Sequence, residues 1–290
     1  MNGNTCDTQS PGILRYGMRI AGDIKKVLDG VNPSPNLEAV RAAAHAELPR
    51  ILYMGDSIAF ETSNFVDSFS KSAFNASTSR IMWGGLAICD FTSIREGELN
   101  TQAERAILDQ RPHIVIMQAV GNNLTPCMGG VSGEDYWKKY EADANRLAEL
   151  VTKTAKSLLI PRPILMWVLQ GPSRDGDHNI RMDEMYRRVA AKHGDMVSDA
   201  GRTVSKAILP ESTDPNDRNV YIQYAPCSQQ EIDMGFCTDI GTRTAKLHKD
   251  EDPTHFCLDK MDVFTCTVKS PGTLRYGGQI SKDAQAALGF

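Results

Sequence analysis

The chain has 290 residues, of which 41% are hydrophobic and 23% are charged, and its formal net charge is −4. These values are ordinary for a globular protein, and the acidic balance gives no electrostatic reason to expect a nucleic-acid partner. No apolar stretch approaches the roughly 20 residues that span a bilayer, so the sequence predicts no membrane span.

The first 30 residues resemble the last 30. In both copies a Ser-Pro-Gly turn precedes a pattern that predicts a helix. A repeat separated by the length of a whole domain indicates that residues 1–30 are the tail of a preceding, similar domain or a docked extension of this one. A linker and an Ala-rich helix around 37–47 are predicted within residues 31–49. The repeated motifs are Thr5-Cys6, Ser10-Pro11-Gly12 and Leu14-Arg15-Tyr16-Gly17, which recur at 265–266, 270–272 and 274–277.

Residues 50–290 are predicted to form one domain in which strands alternate with helices. This alternation indicates a parallel sheet covered by helices on both faces. Residues 210–255 are rich in Pro, Asp and Cys, and we expect a long loop region there. The strands are predicted at 51–54, near 80–83, at 113–118, at 164–169 and near 196–198. The helices are predicted from 57 to about 69, near 102–110, at 136–157 and at 182–193.

Gly55-Asp56-Ser57 directly follows the apolar residues 51–54. This order is typical of a buried strand that ends in a turn, which places a hydroxyl at the carboxyl edge of the sheet, where open α/β folds bind ligands. Gly, Asp and Ser are also ordinary turn residues, so the tripeptide alone is a weak signal. A late acid–histidine pair strengthens the hypothesis that Ser57 is a nucleophile.

That pair is Asp252 and His255, separated by a Pro-containing turn. We expect Asp252 to bind Nδ1 of His255 and to leave Nε2 facing Ser57, as in a hydrolytic triad. The alternative is that Asp252-Pro253 only starts a turn. Of the remaining histidines, His45, His113 and His193 are predicted to be structural or surface residues and His178 to be solvated. His248 is disfavoured as the base because Lys246 and Lys249 flank it and would depress its basicity.

An acyl-transfer site also needs hydrogen-bond donors for the oxyanion. Gly84-Gly85 follows the second predicted strand and offers backbone N–H groups. Gly121-Asn122-Asn123 follows the third and offers a side-chain amide. Each is a common turn when considered alone, but both are expected at the same sheet edge as Ser57.

Together these motifs resemble the SGNH (GDSL-type) hydrolases over about residues 50–290. The resemblance implies a three-layer αβα sandwich with a parallel, flavodoxin-like sheet that hydrolyses esters. It implies catalytic roles for Ser57, Asp252 and His255. The oxyanion hole would comprise the N–H of Ser57, that of Gly85 (with Gly84 as the alternative), and the side chain of Asn123, the last residue of a Gly-x-Asn block.

A narrower resemblance, to secreted actinobacterial members, lies in 121–127 and 255–257. Ile58 replaces the usual Leu, and Leu124 stands where the family has an Asp that supports the loop. An α/β-hydrolase is disfavoured because Ala59 breaks its Gly-x-Ser-x-Gly pattern and because the acid and base are only three residues apart.

The favoured function is a serine esterase or deacylase that hydrolyses acetyl or short-chain O-acyl esters of a carbohydrate or small molecule. Acyl transfer to a sugar would use the same residues, and a silent extracellular binding module is the non-enzymatic alternative. We expect no cofactor and no metal, since the cysteine spacing suits no zinc site. Neighbouring similar domains are possible partners.

The chain has seven cysteines, four of them in its last quarter. Cysteines in loops favour an oxidising compartment, so we expect an extracellular or cell-envelope protein whose leader is absent from the chain, the alternative being reduced thiols in a cytosolic protein. If Cys6 belongs to a preceding domain, six remain, which allow 15 pairings. By sequence neighbourhood we predict Cys89–Cys127, Cys227–Cys237 and Cys257–Cys266.

Overall fold

The computed structural model describes residues 35–207 and 219–290. The repeat in residues 1–30, with Cys6, lies outside the described residues, so the prediction made for it remains a prediction. The first helix, α1 (Pro35–Ala46), lies close to the Ala-rich helix expected from the sequence.

Five strands of the described residues form a parallel sheet in the order β2-β1-β3-β4-β5. This is the flavodoxin-like order, in which ligands bind at the carboxyl edge where the strand order reverses, here between β1 and β3. Gly55 pairs with Met82 and with Gln118, so β1, β2 and β3 end level. The strands are β1 (Arg50–Gly55), β2 (Ser77–Met82), β3 (Ile114–Gln118), β4 (Ile164–Val168) and β5 (Met196–Ser198).

Helices cover both faces of this sheet. Ile51 and Tyr53 of β1 pack with α1, α2 and α8, whereas Leu52 and Met54 pack on the other face with α3 to α6. The predicted three-layer αβα fold class is therefore confirmed. The helices are α2 (Ser57–Phe74), α3 (Ile88–Thr92), α4 (Gln102–Gln110), α5 (Gly133–Leu158), α6 (His178–His193), α7 (Gln229–Asp233) and α8 (Pro271–Leu288).

The structure differs from the sequence prediction in three places. β2 begins at Ser77 rather than near 80, because this edge strand is only partly buried and lacks a strong apolar pattern. Helix α3 was not predicted. The expected long loop contains short strands and α7 in its described part. The antiparallel pairs beyond the main sheet are β6 (Ser205–Ala207) with β7 (Asn219–Tyr221), β8 (Tyr224–Pro226) with β9 (Thr244–Lys246), and β10 (Met261–Asp262) with β11 (Thr265–Cys266).

Helix α8 packs against α2, the helix that begins with Ser57. Gly277 permits this approach, because a Cβ at this position would lie 2.8 Å from the carbonyl oxygen of Thr62. Arg275 forms a two-point ion pair with Glu231, whose side chain is buried. The last helix thus connects α2 to the C-terminal loop region that carries His255.

Three disulfides join Cys89 to Cys127, Cys227 to Cys237 and Cys257 to Cys266. The three predicted pairs are confirmed. Such bridges are stable in an oxidising compartment, which agrees with an extracellular environment. Across residues 35–207 and 219–290, no helix is long and apolar enough to cross a membrane.

Candidate active site

Ser57 lies at the N-terminus of α2, immediately after the turn that ends β1. Asp56 caps this helix, since its Oδ1 accepts the N–H of Ile58 at 3.0 Å. The turn needs glycine at position 55, because a Cβ there would collide with the backbone carbonyl of Gln118 on β3. These local constraints place the Ser57 hydroxyl at the switch point between β1 and β3.

The structure brings Ser57, His255 and Asp252 together. Nε2 of His255 lies 2.8 Å from Oγ of Ser57, and Nδ1 lies 2.7 Å from Oδ2 of Asp252. Because an ionised carboxylate only accepts, Nδ1 carries the proton in this arrangement and Nε2 is the acceptor for the serine hydroxyl. The fold thus brings into one hydrogen-bonded chain two residues whose sequence separation is 198.

The Asp252 carboxylate also organises its own turn. Its Oδ1 accepts the backbone N–H groups of Thr254 (3.1 Å) and His255 (3.2 Å). Partial burial acts to raise the pKa of Asp252, but the charge of His255 and these hydrogen bonds outweigh it and leave the pKa below its usual value. The acid is therefore ionised at neutral pH.

Asp56 links the serine turn to the loop after β3. Its Oδ2 accepts the N–H of Val120 at 2.7 Å and the side-chain amide of Asn122 at 3.0 Å. Complete burial raises the pKa of Asp56 to about 6, although its backbone hydrogen bonds and His255 oppose that shift. The same Asn122 amide donates to the carbonyl of Leu86, so it also contacts the loop after β2.

The two expected oxyanion loops lie at this edge. Gly84 is close to the nucleophile, since a Cβ on it would lie 4.0 Å from that of Ser57. Gly85 is exposed and has a φ of +80°, a left-handed conformation that favours glycine. Asn123 is exposed, whereas its neighbour Asn122 is the one held by Asp56.

Glu61 was missed by the sequence reasoning. It lies one turn after Ser57 on α2, is only 1% exposed, and accepts the backbone N–H groups of Phe256 and Cys257 at 2.8 and 2.9 Å. Burial raises its pKa to about 7, against the lowering effects of His255 and of these two hydrogen bonds. The available signal was its i+4 spacing from Ser57, which puts both residues on one helix face.

The other histidines have structural contacts. His248 is buried and its Nδ1 lies 3.3 Å from the carbonyl oxygen of His255. Burial is the main cause that lowers its pKa to about 4, so the ring is neutral and donates this bond. His178, which we expected in solvent, is instead partly buried, with Nε2 3.1 Å from the carbonyl oxygen of Val120. The reason is that α6 begins at this residue and packs beside the loop after β3.

One grouping of metal-binding residue types occurs among the described residues, comprising Cys89, Asp90 and Cys127. Both of its sulfur atoms belong to a disulfide, so neither is available as a thiolate ligand. This bridge joins the segment after β2 to the segment after β3. It therefore connects the two candidate oxyanion loops covalently.

The rim of the site is open. The side chains of His255 and Asp252 are 35% and 39% exposed. Trp83, which immediately precedes Gly84, is 63% exposed, and its backbone N–H donates to the carbonyl of Gly55 at 3.3 Å. The backbone of Trp83 thus borders the turn that contains the nucleophile, and its aromatic side chain is exposed to solvent.

No protein-family model and no curated protein matches the chain. Solved structures do match. They include an acetylxylan esterase from Geobacillus stearothermophilus, solved as a catalytic mutant, at 11% identity and a TM-score of 0.43, with 83% of this chain and 94% of that chain covered. A GDSL-like lipase from Bacteroides thetaiotaomicron matches at 14% identity and a TM-score of 0.38, with 65% and 91% covered. The first is thus an esterase and the second a GDSL-like lipase, and both likenesses are distant.

Proposed function

We propose that the protein is a serine-dependent ester hydrolase of the SGNH type. The observation that carries the proposal is the chain of hydrogen bonds from Ser57 through His255 to Asp252, with distances of 2.8 and 2.7 Å. A nucleophile, a base and an orienting acid in hydrogen-bond contact are the arrangement that activates a serine hydroxyl. Its position at the β1/β3 switch point is where a doubly wound sheet binds ligands.

In the proposed reaction, Nε2 of His255 accepts the proton of Ser57 as Oγ attacks the ester carbonyl carbon. The imidazolium then protonates the leaving alcohol, and an acyl-enzyme remains on Ser57. His255 then deprotonates a water molecule, which attacks the acyl carbon. The imidazolium returns this proton to Oγ of Ser57 as the acyl–Oγ bond breaks, and the carboxylic acid is released. Asp252 holds the Nδ1–H tautomer and stabilises the imidazolium throughout.

The negative oxygen that develops on the carbonyl requires donors. The backbone N–H of Ser57 belongs to the first turn of α2, where helical N–H groups have no partner within the helix and the helix dipole favours negative charge. Gly85 and Asn123 are the proposed further donors, from the loops after β2 and β3. Asn122 is the less suitable side chain, since its two amide hydrogens already donate to Asp56 and to the carbonyl of Leu86.

The proposed substrate is a short acyl ester of a bulky alcohol, such as an O-acetylated carbohydrate. An open rim leaves room for a large alcohol group. A long acyl chain bound at this open rim would leave much of the chain's apolar surface in water. The exposed ring of Trp83 offers a flat apolar surface on which the C–H face of a sugar can pack. Transfer of the acyl group to a sugar uses the same residues and differs only in the second nucleophile.

We further propose that the protein acts outside the cytoplasm. The three disulfides support this location, because they persist where thiols are not kept reduced. The narrower resemblance to secreted actinobacterial members remains a prediction.

The test is turnover of acetyl, butyryl and octanoyl esters by the wild type, Ser57→Ala and Ser68→Ala. We expect the acetyl ester to be preferred and Ser57→Ala to lose on the order of 10³-fold or more in kcat. Ser68 is exposed on the same helix, so Ser68→Ala should keep full activity. Full activity in Ser57→Ala would contradict the mechanism, and a preference for octanoyl esters would contradict the substrate class.

Adding sugars to the same reactions separates hydrolysis from transfer. A hydrolase releases free carboxylic acid at the same yield with or without the sugar. An acylated sugar formed at the expense of free acid would identify a transferase instead.

A further inference from the structure

Glu61 connects the helix that begins with Ser57 to the loop that carries His255. Its two carboxylate oxygens each accept one backbone N–H, from Phe256 at 2.8 Å and from Cys257 at 2.9 Å. These are the two residues that directly follow His255. The side chain is 1% exposed, so both bonds form away from solvent.

The His255 segment is held by side chains rather than by a strand ladder. Asp252 accepts the backbone N–H of His255 within the same turn, and His248 contacts the carbonyl of His255. Both of these belong to the C-terminal loop region itself. Glu61 comes from α2, so its two bonds fix the His255 segment relative to the nucleophile's own helix.

This arrangement has a direct consequence for the contact between Nε2 of His255 and Oγ of Ser57. The contact is a single hydrogen bond of 2.8 Å between partly exposed side chains. A buried carboxylate that fixes two consecutive amides restricts the backbone from which the imidazole projects. Loss of such a restraint displaces the base, and a displacement of about 1 Å at a reacting group reduces rates on the order of 10²-fold.

We propose that Glu61 is a positioning residue that fixes His255 against Ser57 by accepting the amides of Phe256 and Cys257. The inference rests on the proposed function, because it assigns Glu61 to the same hydrolytic site. The two carboxylate oxygens of Glu61 bind these backbone amides, whereas the imidazole of His255 binds Ser57 and Asp252. The effect of Glu61 therefore falls on kcat rather than on KM.

The chain offers a matched control in Asp183 on α6. The Asp183 carboxylate likewise accepts two consecutive backbone N–H groups, those of Gln170 (2.7 Å) and Gly171 (3.0 Å), after β4. That segment contains none of the candidate catalytic residues. Glu61→Gln and Asp183→Asn are therefore comparable structural perturbations with different expected effects on the reaction, because an amide supplies only one oxygen for two N–H donors.

The experiment measures kcat and KM for a short acyl ester, labelling of Ser57 by an organophosphonate, and amide hydrogen exchange. We expect Glu61→Gln to lose on the order of 10²-fold in kcat, with KM within about twofold of wild type. Labelling of Ser57 should slow similarly, and the amides of Phe256 and Cys257 should lose protection. Asp183→Asn should keep its kcat within about twofold of wild type, even if its free energy of unfolding falls as much as that of Glu61→Gln.

Wild-type kcat in a folded Glu61→Gln protein, or an equal loss of kcat in both variants, would overturn the inference. If Glu61→Gln does not fold, Glu61→Asp keeps the charge with a shorter reach, and wild-type kcat together with unprotected amides would overturn it equally. A wild-type protein that neither hydrolyses esters nor is labelled contradicts the proposed function and the catalytic part of this inference. In that case, amide hydrogen exchange still tests the structural contact. Faster exchange at Phe256 and Cys257 in Glu61→Gln than in wild type would support the contact, and unchanged exchange would reject it.

Discussion

The disulfide between Cys257 and Cys266 begins two residues after His255. Its removal tests whether the bridge contributes to catalysis beyond its contribution to the stability of the fold. The perturbation is the double variant Cys257→Ala/Cys266→Ala. The bridge closes a sequence separation of 9, and that of Cys227–Cys237 closes 10. By the chain-entropy model, each closure stabilises the fold by about 2.6 kcal/mol, so the two double variants should lose nearly equal free energies of unfolding.

Their catalytic effects should differ. The amide of Cys257 is bonded to Glu61, and the bridge restrains the segment that follows the candidate base. The loop closed by Cys227 and Cys237 contains no candidate catalytic residue. We therefore expect the first double variant to lose about tenfold in kcat, a fraction of the loss expected for a fully displaced base, and the second to keep its kcat.

Urea unfolding followed by fluorescence gives the free energies, and initial rates on an acetyl ester give kcat, both under non-reducing conditions. Equal losses of stability with unequal losses of kcat agree with the reasoning. Equal kcat values in the two double variants would refute the idea that the bridge helps to hold His255. A loss of stability in only one of them would refute the matched loop-closure estimate.

Three further predictions concern other parts of the chain. If Asn123 holds the oxyanion, Asn123→Ala should lose roughly 10²–10³-fold in kcat. Asn122→Ala breaks the contact with Asp56 and should mainly lose stability. The reverse pattern in steady-state rates would assign the oxyanion role to Asn122. Burial raises the pKa of Asp56 to about 6 and that of Asp183 to about 7, so each of these two carboxyl groups is more protonated in the folded than in the unfolded state between about pH 4 and 7. Their contribution to stability is thus fully present below that window and is lost as the pH rises through it, and urea titrations should show a shallower decline in Asp183→Asn than in wild type. Non-reducing peptide mapping should find Cys6 outside the three disulfides, and a Cys6 crosslink to Cys257 or Cys266 would show instead that residues 1–30 dock within this domain.

Short-range signals account for most of what the sequence predicted. The apolar run before Gly55-Asp56-Ser57 defines β1 and its turn within a few residues, and the i−3 spacing of Asp252 from His255 is itself local. Each of the three disulfides joins two cysteines that are consecutive in sequence order, so neighbourhood in sequence was enough to pair them. The alternation of strands and helices predicted a parallel sheet, so the motifs that follow its strands were expected at the same edge of the sheet.

Contacts that depend on tertiary packing were not predictable in the same way. Glu61 binds amides that are 195 and 196 positions away in the sequence. Its i+4 spacing from Ser57 indicates the helix face, but not that these distant amides are its partners. The choice between Asn122 and Asn123 depends on the direction in which a loop leaves β3. Strand β2 has a polar, partly buried pattern, so its start could not be fixed by hydrophobic periodicity.

The sequence of residues 1–30 is repeated in the C-terminal segment, whose structure is described. Three of the repeated residue types have tertiary partners there: Cys266 is bridged, Arg275 pairs with Glu231, and the hydroxyl of Tyr276 donates to the carbonyl of Leu169 at 3.1 Å. These are interactions with other parts of the domain rather than within the helix. That residues 1–30 are the tail of a preceding, similar domain or a docked extension of this one stays a prediction, because they lie outside the described residues.

The most direct test of the proposed hydrolase is the identity of the residue that an organophosphonate modifies. Peptide mass spectrometry of the labelled wild-type protein should find one adduct, on Ser57, and His255→Ala should abolish it while the protein stays folded. An adduct on a different serine, or ester hydrolysis that continues while Ser57 remains unmodified by saturating reagent, would contradict the assignment of Ser57 as the nucleophile.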